Sequence, residues 1–174
     1  MTFICRCVFV LFIVGLFPDV AQSREAAPVP DLRQVLRPAG YVFSGSVTGV
    51  KYVAAKTAGE VPTVLVTFKV EQAIRGTTSG SILTVREWAG LWNSGERYRV
   101  GERLLLFLYP RSRLGLTSAV GGTKGRFRLD RTGQVILPQS ADTAAASGVP
   151  RVSRIPLREF TRAIRTAQRV EQQR

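Results

Sequence analysis

The sequence predicts a small, mostly β, barrel-like domain with a helix at each end, and three observations carry that reading. Apolar and polar residues alternate in short runs from Tyr41 to Leu137. Clusters rich in glycine separate those runs, as turns between strands do. After residue 152 the period changes from two to that of a helix. The chain has 174 residues, 45% hydrophobic and 21% charged. That composition suits a single globular core, not a disordered or multidomain chain.

The first element is expected to be removed. "MTFICR" is a short positive start, "CVFVLFIVGLF" an apolar run, and "VAQS" a stretch of small residues at the distance a signal peptidase needs. Residues 1–23 therefore read as a signal peptide cut after Ser23, and the run is too short for a membrane span, which takes about 20 apolar residues. Cys5 and Cys7 leave with it, so the mature chain has no thiol. Its stability has to come from packing, which a chain of this size can supply without disulfides.

Residues 24–30 form a spacer, and a β domain is expected over 31–138. "DLRQVLRP" predicts one or two helical turns, with Asp31 as cap, Leu32, Val35 and Leu36 on one face and Pro38 as the stop. In "YVFSGSVTGV", Tyr41, Phe43 and Val47 alternate with Ser44, Ser46 and Thr48, which predicts a half-buried strand that can bulge at Gly45 and Gly49. "VLVTFKVEQAI" turns Val64, Val66, Phe68 and Val70 one way and Thr67, Lys69 and Glu71 the other, so one face is wet. "RGTTSG" is a turn into "SILTVREW". "RLLLFLY" has no polar face, so Leu104, Leu106 and Leu108 should point into the barrel while Leu105 and Phe107 meet the helices outside it.

"AVGGTKGRFRL", residues 119–129, has the glycines and lysine of a phosphate loop, but the order is wrong. That motif needs G-K followed by Ser or Thr and then a helix. Here Thr123 precedes Lys124, and a strand follows in which Phe127 and Leu129 face inward while Arg126 and Arg128 face water. Gly121, Gly122 and Gly125 are expected to supply turn dihedrals, and "DRTG" to close a hairpin from Asp130 to Gly133.

"PQSADTAAASGVP" marks a linker at 139–152, followed by an amphipathic helix over 153–174. Pro156 suits its first position, Leu157, Phe160 and Ile164 make its apolar stripe, and Arg158, Arg162, Arg165 and Arg169 run down the other side. The stripe can dock on the outer face of "RLLLFLY" or lie on an anionic membrane. Docking is the expectation, because three large apolar residues are few for a membrane.

Net charge is +13, with 25 basic and 12 acidic residues, and the leader removes one of each. Such a surplus favours polyanions, although its even spread along the chain is also what a codon bias produces. Catalytic chemistry has little to stand on. Histidine is absent and cysteine is confined to the leader, which excludes the usual bases, nucleophiles and zinc ligands. No metal or other cofactor is expected. Trp88 and Trp92, the only tryptophans, flank a glycine-rich loop. They can grip a ligand there, or close the end of the barrel.

In order, "AGYVFSGSVTGV", "VTFKVEQAIRG", "ILTVREW" and "YRVGERLLLFLYP" resemble the core of the netrin-like, tissue-inhibitor-of-metalloproteinases type of OB-fold, over residues 39–129. Similar cores occur in uncharacterised exported bacterial proteins. The resemblance implies a five-stranded OB-like Greek-key barrel with the short N-terminal helix and the C-terminal amphipathic helix packed on it. The inhibitors' mechanism does not come with it. They chelate a protease zinc through an N-terminal cysteine, whereas the mature chain here starts at Arg24 and has no disulfide framework.

The expected function is that of an exported, periplasmic or extracellular, non-catalytic binding or interaction module. Its candidate contacts are Trp88, Trp92 and the arginine faces. The first alternative is a polyanion binder of the cell envelope, using Lys124, Arg126 and Arg128 with Arg158, Arg162, Arg165 and Arg169 against an anionic glycan, lipid surface or nucleic acid. The second is a hydrolase built on carboxylates such as Glu87. A protein or polyanionic partner is expected, whereas sequence-specific nucleic-acid binding and membrane insertion of the mature chain are not.

Overall fold

The computed structural model describes residues 32–94, 97–137 and 153–172. The leader, the spacer, Asp31 and the linker at 139–152 lie outside them. A short helix α1 (Leu32–Leu36) leads into strands β1 (Tyr41–Val53), β2 (Thr63–Arg75), β3 (Ile82–Trp88), β4 (Arg103–Leu108), β5 (Arg126–Leu129), β6 (Gln134–Leu137) and β7 (Ser153–Pro156). Helix α2 (Leu157–Gln172) follows, and 3-10 turns occupy Ala89–Ser94 and Gly122–Gly125.

All seven strands join one antiparallel sheet in the order β3-β2-β1-β4-β5-β6-β7. Placing β4 beside β1 makes the first four strands a Greek key. The expected five-stranded closed barrel is not formed, and the reason lies in β5. One edge of β5 pairs with β4 and the other with β6, through Arg128 opposite Ile136 and Leu129 opposite Val135, so none is left for β3. The connection between β4 and β5 reaches β3 instead: Thr117 donates its N–H to the Arg86 carbonyl at 2.8 Å and the Arg111 guanidinium donates to the Thr84 carbonyl at 3.0 Å.

The sheet carries a core on each face. Phe43, Val47, Val64, Val66, Phe68, Val70 and Val85 pack on one side with Leu104, Leu106 and Leu108. On the other, Leu105 and Phe107 join Phe127, Leu129, Val135 and Leu137 beneath Leu32, Val35 and Leu36 of α1 and Phe160 and Ile164 of α2. Strand β4 is thus apolar on both faces because both faces are covered, and α2 docks through its stripe as expected.

Three expectations are corrected in detail. Strand β1 is covered twice in its first half, with Val42 in the helix-side core and Ser44 fully buried, because it lies between β2 and β4 under both layers. Residues 153–156 are an edge strand paired with β6, so the C-terminal helix begins at Leu157 rather than at 153. Pro156 ends that strand, where an edge position tolerates the missing N–H. Gly121 and Gly122 have left-handed φ values of 61° and 64°, but Gly125 serves a close approach: a Cβ there would lie 2.5 Å from the Val120 carbonyl oxygen.

The "RG" after β2 has a structural role. Arg75 donates Nη1 to the carbonyls of Leu36 at 2.9 Å and Ala39 at 3.0 Å, which satisfies the open C-terminus of α1. Gly76, at φ 75°, lets the Gly40 carbonyl approach closer than a Cβ would permit.

Candidate functional site

Alternation along β3 turns Val85 and Glu87 toward the core on the face of the sheet opposite the helices and Thr84, Arg86 and Trp88 outward. A carboxylate thereby enters a buried row, where Glu87 is 4% exposed. Tyr98 reaches it from the loop before β4 and donates its phenol hydrogen to Glu87 Oε1 at 3.0 Å. A carboxylate away from water needs such donors.

A face of the Tyr98 ring is covered by Arg126, whose Cζ lies 4.1 Å from the ring centre. This guanidinium donates Nη2 to Glu102 Oε2 at 2.8 Å and to the Arg97 carbonyl at 3.0 Å. Its side chain is 8% exposed, so Arg126 is not the solvated residue that alternation suggests. It points away from Phe127 as expected, but Tyr98 and Glu102 wait on that side. Arg128 is solvated, 68% exposed, and shares Glu102 at 3.2 Å.

Glu87, Tyr98 and Arg126 border a cavity of about 480 Å³ at the end of β3. Leu91, Tyr98, Tyr109 and Ala119 form apolar walls, Glu87 and Arg126 bring the charges, and Gly121, Gly122 and Thr123 close one side. Leu91 and Tyr109 are each 38% exposed and make the rim. The glycine-rich stretch is therefore a turn, and also a wall. Its 3-10 turn of four residues is too short to gather helical N–H groups on an anion.

The two tryptophans part company. Trp88 is 47% exposed, its ring laid over the Gly90 backbone. Trp92 is half-buried against that same core, opposite the helices, with its ring centre 6.4 Å from that of Tyr98. It packs beside the cavity, with its indole N–H buried and without an acceptor among the described residues. Lys124 is exposed, and Arg158, Arg162, Arg165 and Arg169 are exposed on α2, an element that packs on the opposite face of the sheet from the cavity. The nine sequence-predicted residues thus fall into separate places: Arg126 in the cavity wall, Trp92 beside it, Trp88, Lys124 and Arg128 on the surface, and four arginines on α2.

Sequence reading missed Tyr98, Tyr109 and Glu102 as site residues. Only the buried parity of Glu87 on β3 was a usable signal. Among the described residues no group of His, Cys, Asp and Glu could hold a metal ion, and no helix is long and apolar enough to cross a membrane. No protein-family model and no curated protein matches the sequence.

Proposed function

We propose that the chain is an exported, non-catalytic binding module of the netrin-like OB type, and that it binds a small organic acid in the cavity at the end of β3. The cavity's construction carries this reading: apolar walls that converge on a guanidinium with donors to spare. Arg126 commits Nη2 to Glu102 and Arg97, and no described residue accepts from its Nε or Nη1. Small-molecule sites are built this way, mostly apolar with a few fixed polar groups. A carboxylate would take those donors with the geometry guanidinium favours, while an apolar body lies between Leu91 and Tyr109.

The Greek-key order of β1 to β4, with β5 beside β4 and helices on the outer face, supports the OB-type resemblance. The lack of histidine throughout, and of cysteine after the leader, supports binding over catalysis.

Benzoate tests the reading, with benzylamine as its cationic counterpart, followed by tryptophan emission and by the amide resonances of Ala119, Gly121 and Gly122. Benzoate is expected to shift those amides and benzylamine to leave them, and Tyr109→Ala, at an exposed rim position, to weaken benzoate without loss of fold. Amides that ignore both probes, or that respond only to benzylamine, would overturn it.

A further inference from the structure

A second surface, on α2, stands apart from the cavity. Its apolar side is committed to the core, with Phe160 1% and Ile164 0% exposed. Its other side carries Arg158, Arg162, Arg165 and Arg169, all exposed, none of which forms an ion pair or side-chain hydrogen bond with a described residue. At 3.6 residues per turn and 1.5 Å per residue, the four lie within an arc of about 60° and along a line of about 16 Å, one charge every 5 Å or so. Arginines at these spacings repel one another until something anionic lies across them. Of the other basic candidates, Arg126 and Arg128 share Glu102, and Lys124 is a single exposed charge on a turn.

We infer that this row binds a linear acidic polysaccharide, with one carboxylate or sulfate of each sugar unit against successive guanidiniums. Guanidinium forks match those groups in shape as well as in charge. Each strand of duplex DNA presents a charge about every 3.4 Å of its axis, denser than this row. Single-stranded nucleic acid wants aromatic rings beside the cations, and the aromatic ring described on α2, Phe160, is buried. A membrane-surface helix inserts its apolar side into lipid, but on α2 that side is already in the protein core. A hollow of about 440 Å³ lined by Arg162, Ala163, Thr166, Ala167 and Val170 runs beside the row, with Arg33 and the carboxylate of Glu159 also on its wall, so the acidic groups lie on the arginine row and only uncharged parts of the sugar rings enter the hollow. It offers sugar rings a bed that an isolated ion would not use.

The test titrates the mature protein with polygalacturonate oligomers over a series of salt concentrations. Four contacts predict that log K falls with log salt at a slope near −3, taking about 0.7 per contact. Arg162→Gln with Arg165→Gln is expected to halve the slope and to weaken binding about tenfold or more at low salt. Arg99→Gln with Arg113→Gln removes the same charge from exposed loop positions and is expected to change affinity by no more than about twofold. Thermal melts confirm that both double variants are folded. Equal losses in the two variants would reduce the effect to net charge and overturn the assignment. So would absence of binding at low salt, or tighter binding of duplex DNA or phosphatidylglycerol vesicles through the same row.

Discussion

Two chains of aromatic rings cross this molecule, one in each core. On the helix side Phe107, Phe127 and Phe160 are spaced 5.9 and 5.2 Å apart, and the chain ends in the apolar stripe of α2. On the other side Phe43, Phe68 and Tyr98 are spaced 5.4 and 5.6 Å apart, but this chain ends in a phenol with a carboxylate on one side and a guanidinium on the other. Both bury comparable rings. Only the second leaves a cavity beside buried polar groups, an arrangement that costs stability and that cores keep where they bind something. The helix-side core is apolar throughout its ring chain, whereas the opposite core ends in polar groups beside a cavity.

The largest way to break this comparison is Phe160→Ala. It removes the ring that ties α2 to Phe127 and should cost about 3–5 kcal/mol in denaturant unfolding. A loss below 1 kcal/mol or so would mean that α2 contributes little to that core. Next comes Glu102→Gln, which leaves Arg126 without its carboxylate where the two side chains are only 8% and 14% exposed. The expected loss is about 2–3 kcal/mol by the same measurement, short of the full penalty for a deeply buried pair. Benzoate binding should change with it, because Glu102 orients the guanidinium.

The smallest effect belongs to the exposed pair Glu71 and Arg103, 2.6 Å apart and about one-third exposed. Hydrogen bonding from Arg103, opposed by desolvation and helped by its charge, holds the Glu71 carboxyl below its ordinary value of 4.5. A lowered carboxyl stabilises the fold above its unfolded value and loses that contribution as pH falls through the folded one. Arg103 is raised, again mainly by the bond to Glu71, and stays charged throughout. Wild type should therefore lose more stability than Glu71→Gln as pH drops from 5 toward 3, by less than about 1 kcal/mol for so exposed a pair. Matched melting curves across that range check it.

Strand β4 was legible in the sequence because five consecutive apolar residues leave no wet side, and the helix stripe because its spacing admits one docking face. The open sheet was not, since alternation says which way side chains point and nothing about which edge pairs with which. The β5–β6 hairpin itself was legible in "DRTG", where Asp130 accepts from Thr132 and Gln134 through Oδ1, but not that this pairing takes the edge a closed barrel needs for β3. The cavity was hidden for a related reason. Glu87, Tyr98, Tyr109 and Arg126 come from four separate segments, and each taken alone reads as an ordinary residue of its strand or loop.

Strand β4 has a further consequence before the chain is folded. "LLLFLY" is the kind of short, uncharged, β-prone run that pairs with copies of itself, and nothing about its own residues prevents that. The prevention is beside it. Glu102 and Arg103 stand at one end and Pro110, Arg111 and Arg113 at the other, charges and a strand breaker that keep nascent chains from stacking through this segment. The strand that joins the two cores in the finished protein is thus also an aggregation hazard during synthesis, and its flanking residues act as gatekeepers as well as structural partners.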